Sequence, residues 1–360
     1  MSRVDGAPAE LVRDALDDGD PFPGTGGFAG RIDGRLVRDV LGRRPVFSEP
    51  GDPNTWSFDP TDLADPRPVP AGAVRGSNGD ELQWSLPDPD PASHDDAQAA
   101  VTDVVGAALD DVVPSNLAVA FSGGVDSALV ATGVPDAPLF VAGFDGAHDV
   151  SAAREAARLM GRDLRVVELT HGDLERAIPE VAGATGRTNP MDVAIALPLH
   201  LVAERARNAG FDRLAVGQGA DELFGGYAKV VEPASDRRVE ADTVRGARRE
   251  TVLSLPDQLE RDVLAIRAAG VEPVAPLLHD HVVEAALRLP AELIATGDER
   301  KVALRRAASG LVPDPVREAD KKAVQYGTYV SRELDRLARR AGFKRRMENH
   351  VGRYVESLLE

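Results

Sequence analysis

Two glycine-rich strings in this chain place acids and hydroxyls at spacings that could do chemistry. The first is Phe121-Ser122-Gly123-Gly124-Val125-Asp126-Ser127. The second runs Gly217-Gln218-Gly219-Ala220-Asp221-Glu222-Leu223-Phe224-Gly225-Gly226-Tyr227. In the first, paired glycines let the backbone turn tightly and approach a ligand with no Cβ in the way. Their N–H groups and the two serine hydroxyls can form a nest for an anion, and a following helix would add its positive N-terminus. Asp126 would repel a phosphate; a carboxylate there makes sense if it holds Mg²⁺ that bridges to the phosphates. The plainer alternative is a tight turn with a Ser or Asp helix cap. The second string again delivers acids from a glycine-rich turn. Asp126 and Asp221 could share the Mg²⁺ beside a polyphosphate. Glu222 could instead be helix-start charge that complements the dipole, and Phe224 reads as core packing.

Such loops need strands to launch them. LAVAF (117–121) is a short continuous apolar run, as expected of a strand buried on both faces, and LFVAGF (139–144), LRVVEL (164–169) and RLAVG (213–217) read the same way. Helical patterns at 127–133, 149–161 and 191–209 lie between them, after a helix-like stretch at 96–113. Strands alternating with helices predict an α/β fold with a doubly wound parallel sheet, whose ligands sit at the C-terminal strand ends. Past Tyr227 the buried-strand signals stop. The segments LPDQLERDVLAIRAAG, DHVVEAALRLPAEL and ERKVALRRAAS read as amphipathic helices. Residues 1–95, rich in Pro, Gly and Asp, read as a small β-rich domain on a Pro-Asp linker. The organisation expected is thus 1–95, 96–330, and a charged helical tail over 331–360.

The first string is not a Walker A sequence. It resembles the SGGxDS pyrophosphate loop of the N-type ATP pyrophosphatases, which implies an adenine nucleotide α-hydrolase-like fold. That superfamily cleaves ATP between the α and β phosphates and activates its substrate as an adenylate. The second string resembles the SGEGSDExFGGY signature of the asparagine synthetase and β-lactam synthetase group, with Val216 where the serine stands and Gln218 in place of the first glutamate. The segments 142–161, with Asp149, Ala153 and Ala157, and 259–280, with Arg261-Asp262, Gly270-Val271-Glu272 and Asp280, extend the likeness; Val274 replaces an arginine and His279 is an insertion. Arg317 to Gly327 resembles an R-x-K-x-x-f-x-x-G loop whose lysine closes over the site.

The resemblance implies ATP contacts at Phe121, Ser122, Gly123, Gly124, Val125, Asp126, Ser127, Gly143, Val216 and Gly217. It also implies substrate contacts at Gln218 and Glu222, metal at Asp126 and Asp221, and catalytic roles for these two acids with Lys322. ATP and Mg²⁺ are the expected cofactors, and aspartate and ammonia the substrates, joined through β-aspartyl-AMP with release of pyrophosphate. Alternatives are another carboxylate substrate, as in β-lactam synthetases or lasso-peptide cyclases, and a nucleotide-binding regulatory protein without catalysis. Residues 41–72 resemble the later part of a glutaminase domain, about half of its expected size, which reads as an inactive remnant kept for packing. Nitrogen would then come from solution or a separate amidotransferase.

Composition narrows the rest. There is no cysteine among the 360 residues, hence no disulfide, no Cys-ligated zinc and no cysteine nucleophile. The net charge of -17, from 59 acidic and 42 basic residues, argues against nucleic acid as a partner. It fits a heavily hydrated surface of the kind halophiles use, or the bias of a GC-rich genome. Only five of the basic residues are lysines, which makes Lys321-Lys322 stand out. No apolar run approaches eighteen residues and the N-terminus has no signal-like core, so no membrane span and a cytoplasmic location are expected. His279 and His281 could be a metal pair, but no third ligand is indicated and a polar helix start is the expectation.

Overall fold

A computed structural model describes residues 2–297, 299–319 and 326–359. Lys321 and Lys322 lie outside the described residues. Residues 3–82 supply eight strands: β1 Arg3–Asp5, β2 Ala29–Ile32, β3 Arg35–Arg38, β4 Phe47–Glu49, β5 Asp52–Ser57, β6 Arg67–Pro68, β7 Ala73–Gly76 and β8 Gly79–Leu82. They form an antiparallel sheet in the order β1-β2-β3-β7-β8 and a second one in the order β5-β4-β6. A helix, Ala9–Asp18, packs its Val12 and Ala15 inward.

A second five-stranded sheet is parallel throughout, in the order β11-β10-β9-β12-β13. Its strands are β9 Leu117–Ala120, β10 Leu139–Gly143, β11 Leu164–Glu168, β12 Arg213–Ala215 and β13 Glu272–Val274. Alternate residues feed opposite layers, as the two-residue period of a strand requires. Leu117, Val119, Leu139, Val141 and Ala215 join one core with Val101, Leu129, Val37 and Trp84. Ala118, Phe140, Ala142 and Leu214 join the other, with Leu174, Leu197, Leu201 and Ile266. With both faces covered by apolar neighbours, the central strands read as unbroken apolar runs.

Two expectations need correction. LRVVEL is not buried on both faces: β11 is an edge strand whose residues are all partly or fully exposed, and Arg165 covers the Phe140 and Phe211 rings. The strand signals also do not stop at Tyr227. Glu272-Pro273-Val274 adds a fifth parallel strand, at the edge, where a proline is tolerated. A further helix, His171–Thr185, interrupted in pattern by Pro179, also lies between β11 and β12.

The tail contributes to the core. Within the helices Tyr326–Arg340 and His350–Ser357, Leu334, Leu337, Tyr354 and Val355 are buried against the helix Pro190–Asn208. The two sheet regions are joined by buried charge as well as apolar contact. Arg43 lies 2.9 Å from Asp39 and 2.7 Å from Asp280, and Arg38 lies 3.0 Å from Glu260. Among the described residues no helix is long and apolar enough to cross a membrane.

Candidate active site

Strand order reverses at β9. The chain passes from β9 to β10 and β11 on one side, and returns to β12 and β13 on the other. The two loops leaving β9 and β12 therefore diverge around a crevice, the usual ligand position in such sheets. These loops are the two glycine-rich strings.

The first loop is held by its own serines. Ser127 Oγ accepts from the Ser122 backbone N–H at 3.1 Å and donates to the Gly124 carbonyl at 3.2 Å. Ser122 Oγ lies 3.2 Å from Ser127 Oγ. Gly123 has φ +76, and a Cβ there would lie 2.8 Å from the Cα of Ala153. The loop is thus pressed onto the helix His148–Leu159, whose Ala153 is fully buried. The helix Val125–Gly133 begins directly after the glycines and carries Asp126 in its first turn. Phe121 is buried, and its N–H donates to the Phe140 carbonyl at 2.7 Å, so only its backbone can face a ligand. Gly143 ends β10, with no room for a side chain against Val150.

In the second loop Val216 is 2 % exposed and donates its N–H to the Val274 carbonyl, which removes its side chain from any ligand. Gly217 packs against Asp126: a Cβ on it would stand 3.0 Å from the Asp126 Cβ. Gln218 Nε2 donates to Asp262 Oδ2 at 2.5 Å. Asp262 is also paired with Arg261 at 2.7 Å, and Arg261 with Asp192 at 2.8 Å. Burial pushes the Asp262 carboxyl up, against the pull of Arg261. A glutamate at 218 would face a second carboxylate here, so Gln218 is matched to its neighbour.

Asp126 and Asp221 do come together, 95 positions apart in sequence, through a residue that sequence reasoning missed. The Lys301 ammonium lies 2.7 Å from both Asp126 oxygens and 2.5 Å from Asp221 Oδ1. Burial lowers the affinity of this ammonium for its proton, but Asp126 and then Asp221 outweigh it, and its pKa is raised. A usable signal existed: Lys301 is one of only five lysines, yet ERKVALRR reads simply as an amphipathic helix. Gly226 makes room for the pair, because a methyl on it would overlap the Asp221 carboxylate and Lys301 Cε.

Among the described residues, no group of three or more His, Asp or Glu side chains could hold a metal unaided. The two carboxylates do fit a magnesium ion that draws its other ligands from phosphate and water, the common arrangement for that ion. His279 caps the helix Asp280–Leu287, its side chain accepting from the His281 N–H, as a polar helix start would.

Glu222 is buried beside this pair and accepts from the Tyr227 hydroxyl at 2.5 Å. Burial, then Asp221, pushes its carboxyl from the ordinary 4.5 up to about 7, against the hydrogen bond from Tyr227. The fold therefore favours the protonated form. That contribution is complete below pH 4.5 and is lost as pH rises through 7. Glu222→Gln keeps an acceptor for Tyr227 and cannot ionise. Between pH 5 and 8 the wild type should lose up to about 3 kcal/mol more stability than this variant. Urea unfolding at both pH values checks this, and parallel losses would contradict it.

The sequence model of the family described as asparagine synthase matches residues 97–255 and 245–355. A Methanocaldococcus jannaschii protein named putative asparagine synthetase (glutamine-hydrolyzing) 1 is 29% identical over 263 residues, which is 63% of this chain and 48% of that one. Escherichia coli K12 asparagine synthetase B (glutamine-hydrolyzing) is 25% identical over 290 residues, 73% of this chain and 51% of that one. The nodule asparagine synthetase of Pisum sativum is 32% identical over 123 residues, 30% of this chain and 21% of its own. The chain thus spans about half the length of the first two relatives.

Proposed function

The chain belongs to the asparagine synthase family, and from that premise we propose that it is an ATP-dependent, AMP-forming carbon–nitrogen ligase that makes asparagine from aspartate and ammonia. The observation that carries this reading is the meeting of the serine-glycine loop 122–127 with Asp126 and Asp221 where the parallel sheet reverses order. The loop N–H groups and the Ser122 and Ser127 hydroxyls bind the polyphosphate of ATP, aided by the helix that starts at Val125. Gly143 and the backbone of Val216 and Gly217 border the adenosine. Asp126 and Asp221 would hold magnesium against the phosphates, where it neutralises charge and orients the leaving group.

The side-chain carboxylate of aspartate attacks the α-phosphorus, giving β-aspartyl-AMP and pyrophosphate. Gln218 and Glu222 border the amino-acid end of the site. Ammonia then attacks the activated carbonyl, a proton is lost, and asparagine and AMP depart. Holding both reactants in line supplies much of the rate. Lys322 adds positive charge as pyrophosphate leaves. The nitrogen donor is ammonia, free or delivered by a separate amidotransferase.

Purified protein in high potassium chloride with Mg²⁺-ATP, aspartate and ammonium should release pyrophosphate and AMP in equal amounts and form asparagine. Glutamine should not replace ammonium. Absence of pyrophosphate release with aspartate and ammonium would overturn the assignment of substrates.

A further inference from the structure

We propose that Lys301 is a built-in stand-in for the metal ion. Before nucleotide arrives it holds the Asp126 and Asp221 carboxylates together, and it denies them to a divalent cation until ATP brings one. The inference rests on the reading above for what the two carboxylates do during turnover.

An ammonium has three protons to donate, and three carboxylate oxygens stand within 2.5–2.7 Å of Lys301 Nζ. The residue is 4% exposed, so little water shares the contact. Two carboxylates brought together in such a place need a cation, because buried like charges repel strongly. Lys301 supplies it from a distant part of the sequence, 175 positions from Asp126.

The lysine backbone is fixed. Lys301 has φ 59, in the left-handed region that costs energy for a side chain of this kind. It is held there on both sides: Arg300 donates to the Gly226 carbonyl at 2.9 Å, and the Lys301 carbonyl accepts from the Arg305 N–H at 2.9 Å. What can move is the four-carbon stem, which carries a compact charge free to reorient. A magnesium ion needs carboxylate oxygens at about 2.0–2.1 Å. It cannot share that space with an ammonium, and two cations a few ångströms apart repel. Metal entry therefore requires Lys301 Nζ to leave, and the phosphates of ATP are the anions that would receive it. Metal binding becomes conditional on nucleotide.

Manganese binding, read by the electron paramagnetic resonance signal of the free ion, tests this without turnover, so its result is separate from that of the pyrophosphate assay. In high potassium chloride without nucleotide, the wild type should take up no manganese tightly. With a non-hydrolysable ATP analogue it should take up metal. Lys301→Met should bind one manganese per chain at least tenfold more tightly than the wild type without nucleotide, and adding Asp126→Asn should abolish that gain, which sets surface carboxylates aside. Magnesium should raise the melting temperature of Lys301→Met and leave that of the wild type unchanged. Equal manganese affinity in Lys301→Met and wild type overturns the proposal. So does tight uptake by nucleotide-free wild type that Asp126→Asn removes, an arm that decides the matter even where Lys301→Met does not fold.

Discussion

Asp280→Ala is expected to lower the stability of the chain by about 3–5 kcal/mol, the usual cost of stripping one partner from a buried ion pair. Asp280 is fully buried. One oxygen accepts from the Thr25 N–H at 2.6 Å and the Thr25 hydroxyl at 3.1 Å; the other faces Arg43 at 2.7 Å. Burial pushes the Arg43 guanidinium down, and Asp39 and then Asp280 more than offset it, so it stays charged. Removing Asp280 leaves that charge with one counter-ion and the Thr25 N–H with none. Asp280→Asn keeps an acceptor for Thr25 but turns an amide NH2 toward the Arg43 guanidinium, so it should recover part of the alanine loss and no more. Urea unfolding at neutral pH ranks the three proteins. A loss under about 1 kcal/mol for alanine, the worth of a surface pair, would contradict the account.

The second large effect is expected at Gly226. A single added methyl would overlap the Asp221 carboxylate and the Lys301 stem. One of them must shift, and misplacing a catalytic group by about 1 Å can cost on the order of 100-fold in rate. Gly226→Ala should thus reduce pyrophosphate release about 100-fold, while the overpacking lowers stability by only about 1–3 kcal/mol. Rate per folded molecule, with folding followed by circular dichroism, separates the two effects. A variant within threefold of wild-type activity would mean that the placement of the Asp221 carboxylate and the Lys301 stem beside Gly226 does not limit turnover.

The parts legible in the sequence were those whose chemistry is local. Ser122 to Ser127 and Gly217 to Tyr227 announce themselves because turn, nest and acid lie within a few consecutive residues. The central strands were legible because LAVA and LFVAG serve two apolar layers at once. The fifth strand was not, since three residues with a central proline carry no period, and its pairing with β12 is decided by tertiary contact. LRVVEL misled because an edge strand can keep a β-branched sequence and cover one face with an arginine stem. Lys301 was hidden for a further reason. ERKVALRR reads as an amphipathic helix, and only the rarity of lysine sets apart a residue whose partners lie 80 and 175 positions away, in the first turns of two other helices. Asp126 and Asp221 lie in the loops that leave β9 and β12, and Gly143 at the end of β10.

The seam between the N-terminal sheets and the parallel sheet bears on how the protein can be handled. Val37 and Trp84 share one apolar cluster with Val101 and Leu129, and Arg43 and Arg38 meet Asp280 and Glu260 across it. A fragment cut near residue 90 would bare that cluster and strand both acids, so neither half is a self-sufficient folding unit. Heat should melt the chain in a single transition, and a calorimeter should record one peak, with no early shoulder from the first ninety residues.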